Sequence, residues 1–542
     1  MNKITGWLLL LLALTLGAAL RVPGWKTEEE MGRWRLFEVD EEQHIAIAIH
    51  RFNDLVAGGD TIRNRFHERS YNVEGYGRLV GNLLYVGYGQ LERHPDKEKE
   101  DFTAVLMIGR KLSTLFALFL IVVVFALGRS SGLSPPAAGV AALLMAACDV
   151  NATYSHYMLP ASSYVFFSYL ALLGGVRLAY RPSPGSLVLL ALGAAGAATF
   201  KFDVFPLVYG GALLLFLACR RLVSGSRGPG LPWTYVVGGT ALLAFFSWVL
   251  LSGWSWEDIQ HSFTELRKQN KDVIRVENHF RDNLLAYPLG VLAGIGLPAF
   301  GLALWGAGKL LRQHLSQLRS TLTPQRTAVL YVFLFLLTEA ALRWYMDTTF
   351  IRRVNIFMPA IAILAAYTLQ RYRVKPWLTA LVVAWSFGLG VVGQSHHWYD
   401  TRVAMRDWLN EELPKPNRVG ISASINIDGL KNWKYYLHKD WDYFVTSEAF
   451  YRRYTKSLTT PFGRPPCDGG IYHGGPADQC EDFQAMLYGE HPGVELHKAF
   501  RTWDVFPERL LYHHWFGYYE TFLGDVLIFR RTAPPANERT TS

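Results

Sequence analysis

Long apolar runs recur through the first 393 residues, separated by short basic stretches and by two longer polar loops, and a polar tail, 394–542, follows them. A helix needs about 20 residues to cross the ~30 Å hydrocarbon core of a bilayer. Eleven runs approach that length, at 4–20, 103–127, 133–148, 160–178, 187–200, 204–219, 234–251, 284–306, 328–342, 354–369 and 377–392. They predict an all-α polytopic membrane bundle. Within the first long loop, 21–102, Ile45, Ile49, Phe52 and Val56 recur at helical spacing, so an amphipathic helix lying at the interface is expected there. The stretch "ERSYNVEGYGRLVGNLLYVGYGQL", 68–91, has aromatic and glycine residues before a second apolar face and reads as interfacial too.

Composition agrees: 50% of the 542 residues are hydrophobic and 18% are charged, against about 25% charged in soluble domains. Charge then sets the orientation, because short cytoplasmic loops collect Lys and Arg. Alternate loops hold Arg129; Arg181; Arg220, Arg221 and Arg227; Lys309, Arg312, Arg319 and Arg326; and Arg371, Arg373 and Lys375. This pattern puts the N-terminus in the cytoplasm of a multi-pass cell (inner) membrane protein, with loop 21–102, loop 253–283 and the tail outside. The formal net charge of +9 resides largely in the cytoplasmic loops, so nucleic acid is not implied. Two units follow, a membrane module at 1–393 and an extracytoplasmic domain at 394–542. The first apolar run also fits a cleaved signal peptide, although it is long for one. Cys467 and Cys480 lie in the outer tail, where a disulfide can form or two free thiols can persist.

No P-loop, Rossmann glycine pattern, HExxH or GxSxG occurs. Function is therefore sought where charge meets the membrane from outside. Three acids, Asp40, Glu41 and Glu42, stand at the start of the first amphipathic helix. Asp40 with Gln43 also fits a capping box, and acids favour a helix N-terminus, so capping competes with catalysis. Glu74, farther along the loop, is a second acid of interest or a solvated carboxylate. The opposite sign comes from other outer turns: His156 in "ATYSHYMLP", Lys201 and Asp203 in "GAATFKFDVFP", and Arg343, Asp347, Arg352 and Arg353 in "LRWYMDTTFIRRVN". Snorkelling or pairing with lipid phosphate would also account for these cations. Carboxylates and cations together suit attack by a hydroxyl with departure of a phosphate, the chemistry of glycosyl transfer from a lipid phosphate.

The order of several motifs resembles the GT-C class of polytopic glycosyltransferases, in particular the bacterial relatives of protein O-mannosyltransferases and of the aminoarabinose transferase acting on lipid A. "VDEEQHIAIA" is similar to the family's Asp-Glu signature, the aspartate of which is taken as the catalytic base. "IGRKLSTLFALFLIVVVFALGR", with Arg110, resembles the second membrane helix, "YSHYMLP" the Ser-His-Tyr segment, and "AATFKFDVFPLV" the Ala-Thr-Lys-Tyr turn with Phe200 intervening. "IRRVNIFMPAIAILAA" and "DTRVAMRDWLNEELPKPNRVG" are similar to the late helix and to the opening of the tail. The prolines that relatives carry after the acidic signature are missing from "YNVEGYGRLVGN", which leaves that loop's contacts with donor or acceptor open.

The resemblance implies a bundle of about eleven helices, interfacial helices in the first outer loop and a C-terminal α/β domain. It implies a polyprenyl-phosphate sugar as donor and a hydroxyl on a glycan, lipid or protein as acceptor. Asp40 would act as base, with Glu41 and Glu74 orienting hydroxyls and Lys201, Arg352, Arg353, Arg110 and His156 at the donor phosphate. No cofactor is expected. Asp40, Glu41 and Glu42 could hold a divalent metal, but ligands normally converge from separate segments, which favours metal-independent chemistry. A transporter or flippase of lipid-linked sugars is the alternative; its charges would sit near the midplane, commonly within repeated halves, and no repeat is visible here.

Overall fold

The computed structural model describes residues 2–25, 41, 44–49, 79–81, 83, 98–180, 182–201, 233–250, 279–316, 332, 335, 336, 339, 351–413, 418–422, 425, 441–448, 450, 451, 467, 480–516 and 524–532. The helices are α1 (Asn2–Arg21), α2 (Glu98–Ser130), α3 (Pro135–Ala146), α4 (Asp149–Ser155), α5 (Ala161–Tyr180), α6 (Pro184–Lys201), α7 (Trp233–Leu250), α8 (His279–Ile295), α9 (Leu297–Ser316), α10 (Met358–Arg371) and α11 (Pro376–Trp398). A 3₁₀ turn, Ile351–Phe357, leads into α10.

Among the described residues five helices are long and apolar enough to cross a membrane, or up to seven if each of two bent pairs is one span. The expected spans at 187–200 and 234–251 are shorter apolar helices. Those at 204–219 and most of 328–342 lie outside the described residues.

Breaks in the apolar runs have local causes. Ser134 accepts a hydrogen bond from the Ala137 amide at 3.4 Å, and prolines occupy the first two positions of α3, so that helix starts where its free amides are capped or absent. The run 284–306, expected as one span, is instead α8 and α9 meeting at 117°. Gly296 supplies the left-handed turn, with φ +90°, and Pro298 at the second position of α9 has no amide to continue α8. Elsewhere small residues let helices touch. A β-carbon on Gly193 would overlap the Ala171 backbone of α5, so α5 and α6 pack almost backbone to backbone.

The tail begins with α12 (Thr401–Glu411), capped by Asp400, whose side chain accepts from the Arg402 amide at 2.9 Å. It continues with β1 (Val419–Ile421), β2 (Tyr443–Ser447), α13 (Cys480–Leu487), β3 (Val494–Phe500), α14 (Pro507–Phe516) and β4 (Val526–Arg531). The sheet order is β1-β2-β4-β3, with β1 and β2 parallel and the other pairs antiparallel. Alternation sends Phe444, Leu527 and Phe529 to a face covered by Phe483 and Met486 of α13. Val445 and Ile528 go to the other face, covered by Met405 and Leu409 of α12. A disulfide joins Cys467 to Cys480 at the start of α13.

Candidate active site

Two buried ionic clusters lie at the end of the bundle where α11 enters the tail, and α4 with the turn after it belongs to both. In the first, Glu41 from the loop 21–102 meets Arg110 of α2. Arg110 donates from Nε at 3.0 Å and from Nη2 at 2.9 Å to the two carboxylate oxygens, and the Met158 amide donates to Oε1 at 2.8 Å. Both side chains are fully buried. An isolated charge would be costly there; a two-pronged pair with a further amide donor offsets that cost. An apolar shell holds the loop in place: Ile45 and Ala48 of the first-loop helix, Val80 of the second apolar face, Phe116, Met158 and Phe200 form one cluster.

In the second cluster, Asp149 at the start of α4 pairs with Arg509 of α14. It also accepts from Gln394 Nε2 at 3.1 Å, and the same amide reaches Thr153 Oγ1 at 3.2 Å. Arg509 Nε donates to Asp504 at 2.6 Å, and the His396 ring lies 3.8 Å from that carboxylate. Burial works to raise the Asp504 carboxyl, but the Arg509 guanidinium and the His396 ring outweigh it and hold it well below the usual carboxylate range. The His156 and His397 rings, one just after α4 and the other near the end of α11, stack with centroids 4.5 Å apart. On the other side of α4, Arg21 donates to Asn151 at 2.9 Å and Asn151 to Asn355 at 3.2 Å.

Within about ten residues, 149–158, one short segment is thus tied to the first loop, α1, the 3₁₀ turn, α11 and the tail. The sequence-derived candidates fall around it unevenly. Glu41, Arg110 and His156 meet on it, and Arg352 and Arg353, half-buried in the 3₁₀ turn, are joined to it through Asn355. Lys201 ends α6, next to Phe200 in the shell of the Glu41 cluster; its side chain lies outside the described residues. Asp40, Glu42, Glu74, Asp203, Arg343 and Asp347 also lie outside them.

Arg110, expected at a donor phosphate, is buried and donates to Glu41. Glu41, expected to orient hydroxyls, has both oxygens engaged by Arg110 and the Met158 amide, contacts that hold the start of the first-loop helix against α2 and the turn after α4. Asp149, Asn151, Gln394, Asp504 and Arg509 were missed. Asp149 and Asn151 left one signal, a polar interruption, "CDVN", at the end of an apolar run; Arg509 left none, because its partner lies 360 residues away. Among the described residues no group of three His, Cys, Asp or Glu is arranged to hold a metal ion.

Searches with protein-family models and against curated sequences find no match. Solved structures do resemble the chain. The apo Archaeoglobus fulgidus oligosaccharyltransferase aligns at 11% identity and TM-score 0.45, over 77% of this chain and 62% of its own, so the chain spans less than two thirds of that protein. ArnT from Cupriavidus metallidurans, bound to undecaprenyl phosphate, aligns at 15% identity and TM-score 0.45, over 77% of this chain and 83% of its own. The Saccharomyces cerevisiae O-mannosyltransferase Pmt1-Pmt2 complex bound to sugar donor aligns at 16% identity and TM-score 0.34, over 46% of this chain and 33% of its own. All three are GT-C glycosyltransferases. With identities of 16% or less and TM-scores below 0.5, these likenesses assign no chemistry to this chain.

Proposed function

We propose that the protein is a membrane glycosyltransferase that moves a sugar from a polyprenyl-phosphate donor to an acceptor hydroxyl, with inversion, on the extracytoplasmic face. The observation that carries this reading is the anchoring of Glu41 by Arg110 and Met158. It fixes the residue covalently next to Asp40 against the end of a membrane bundle, beside a segment tied to the 3₁₀ turn that bears Arg352 and Arg353. Asp40, bonded to that anchored acid, would serve as the base that must meet a hydroxyl and a phosphate at one distance.

In this mechanism Asp40 takes the proton of the acceptor hydroxyl as its oxygen attacks the anomeric carbon. The bond to the phosphate oxygen breaks on the opposite side, and polyprenyl phosphate leaves. Lys201, Arg352 and Arg353 stabilise the charge that develops on it, and Glu74 orients an acceptor or sugar hydroxyl. The engagement of Glu41 by Arg110 removes one of the three clustered acids from metal binding and favours metal-independent transfer.

The test is to present the purified protein with a panel of polyprenyl-phosphate sugars and to follow donor consumption by mass, with and without a chelator. Cleavage of a donor in detergent supports transfer. Movement of intact donor across a proteoliposome membrane without cleavage supports the transporter reading instead. Loss of cleavage on chelation replaces the metal-independent mechanism with a metal-assisted one.

A further inference from the structure

We propose that the tail segment 503–511 is embedded in the bilayer surface, so that the C-terminal domain is held by lipid as well as by the bundle. This rests on the reading of α11 as a membrane span.

The segment does not sit beyond the end of α11 but runs along its side. Phe506 packs on Trp385 with ring centroids 5.3 Å apart, and a β-carbon on Gly388 would come within 3.0 Å of its ring. Glu508, buried, accepts from Trp385 Nε1 at 2.7 Å and from the Leu297 amide at the start of α9 at 2.9 Å. Trp385 lies about 20 Å below the end of α11 at Trp398, at 1.5 Å per residue. A second span gives the level independently. Gly390 of α11 faces Leu20, the last apolar residue of α1 before Arg21, and Trp385 is about 7 Å farther into the bundle than Gly390. Trp385 is also near the middle of the apolar run 377–392, about 10 Å from the end of that run nearer the tail at 1.5 Å per residue, so the segment beside it reaches the acyl region.

What the segment shows to its surroundings fits that depth. Trp503, Val505, Leu510 and Leu511 are exposed, Trp503 to 65%. The charged residues between them turn inward, Asp504 and Arg509 to Asp149 and Glu508 to Trp385 and Leu297. This is the reverse of a water-facing helix, which buries its apolar side and solvates its charges. The apolar surface is also continuous with the flank of the bundle: Leu297 and Leu304 of α9 and Leu381 and Trp385 of α11 are exposed beside it. A spanning bundle presents such a flank to acyl chains, so the occupant is the lipid that surrounds α9 and α11.

The full-length protein in phosphatidylcholine/phosphatidylglycerol nanodiscs, with a bimane label at a single introduced cysteine, tests this by quenching with doxyl-labelled lipid and with aqueous iodide. Leu381→Cys on α11 is the lipid reference, and Tyr488→Cys, exposed after α13, is the water reference. Doxyl quenching at Trp503→Cys and Leu511→Cys well above that at Tyr488→Cys and approaching that at Leu381→Cys is the expected result. Quenching no greater than at Tyr488→Cys overturns the proposal, and insensitivity to both quenchers overturns it in favour of a second protein copy. If Leu381→Cys itself is unquenched by doxyl lipid, the reading of α11 as a span fails and takes the proposal with it.

Discussion

Arg110 meets Glu41 fork to fork, 3.0 and 2.9 Å apart at its two prongs, and neither side chain touches solvent. Breaking such a pair leaves a buried charge without its partner, which costs about 3–5 kcal/mol. Arg110→Met is therefore expected to lower the unfolding temperature strongly. The double variant Glu41→Gln/Arg110→Met, which leaves no lone charge, should recover part of the loss. A double-mutant cycle on thermal unfolding reads this directly; additive single effects would show that the two side chains do not act as a unit.

Arg509 ties the tail to α4 through Asp149 and to its own domain through Asp504. Arg509→Ala removes one cation from two buried carboxylates. Hydrogen exchange should quicken in 149–158 and 501–516 together, while β2 and β4, in the middle of the tail's own sheet, stay protected. Faster exchange throughout the sheet would instead mark Arg509 as a general stabiliser of the tail.

The same contact has a pH dependence of definite sign. The folded Asp504 carboxyl is held below its ordinary value of 3.8, so its contribution to stability is fully present above that value. It is lost as pH falls from there through the folded value. Thermal stability should be flat in this contribution from pH 8 to 5 and fall below about pH 4, and the fall should be shallower in Asp504→Asn. Equal slopes in the two proteins would show that Asp504 is not the titrating group.

Gly393 of α11 leaves room for the meeting of Asp149 and Arg509, because a β-carbon there would overlap Asp149. Gly393→Ala should cost about 1–3 kcal/mol, as overpacking of a tight interior does. An unchanged melting temperature would mean that α11 and α4 can separate without penalty.

How much of this was legible in the sequence depended on the range of the interaction. Apolar length marked α1 to α3, α5 to α7, α10 and α11, and read α8 and α9 as one run, because each run is local; α4 fell in the gap between two runs. The sharp break at Gly296 was not read, since a glycine and a proline inside an apolar run are tolerated in many spans. Ile45 and Ile49 announced the first-loop helix by spacing alone, and Ile45 is indeed buried in the shell that fixes it. Glu41, Arg110 and His156 were singled out by motif, but their partnerships were hidden: nothing local tells a guanidinium whether it will meet a phosphate or a carboxylate 69 residues away. Arg509 looked like one more charge in a polar tail, and only the folding of that tail back along α11 gives it Asp149.

In the mechanism proposed here Asp40, next to the anchored Glu41, removes the acceptor proton during transfer from a lipid-linked sugar. The most direct measurement is single-turnover release of polyprenyl phosphate by purified wild type and Asp40→Asn, with folding of both checked by thermal unfolding. The expected result is release by the wild type and a rate lower by about 10²–10⁴ in a folded Asp40→Asn protein. Undiminished release by Asp40→Asn would contradict the account.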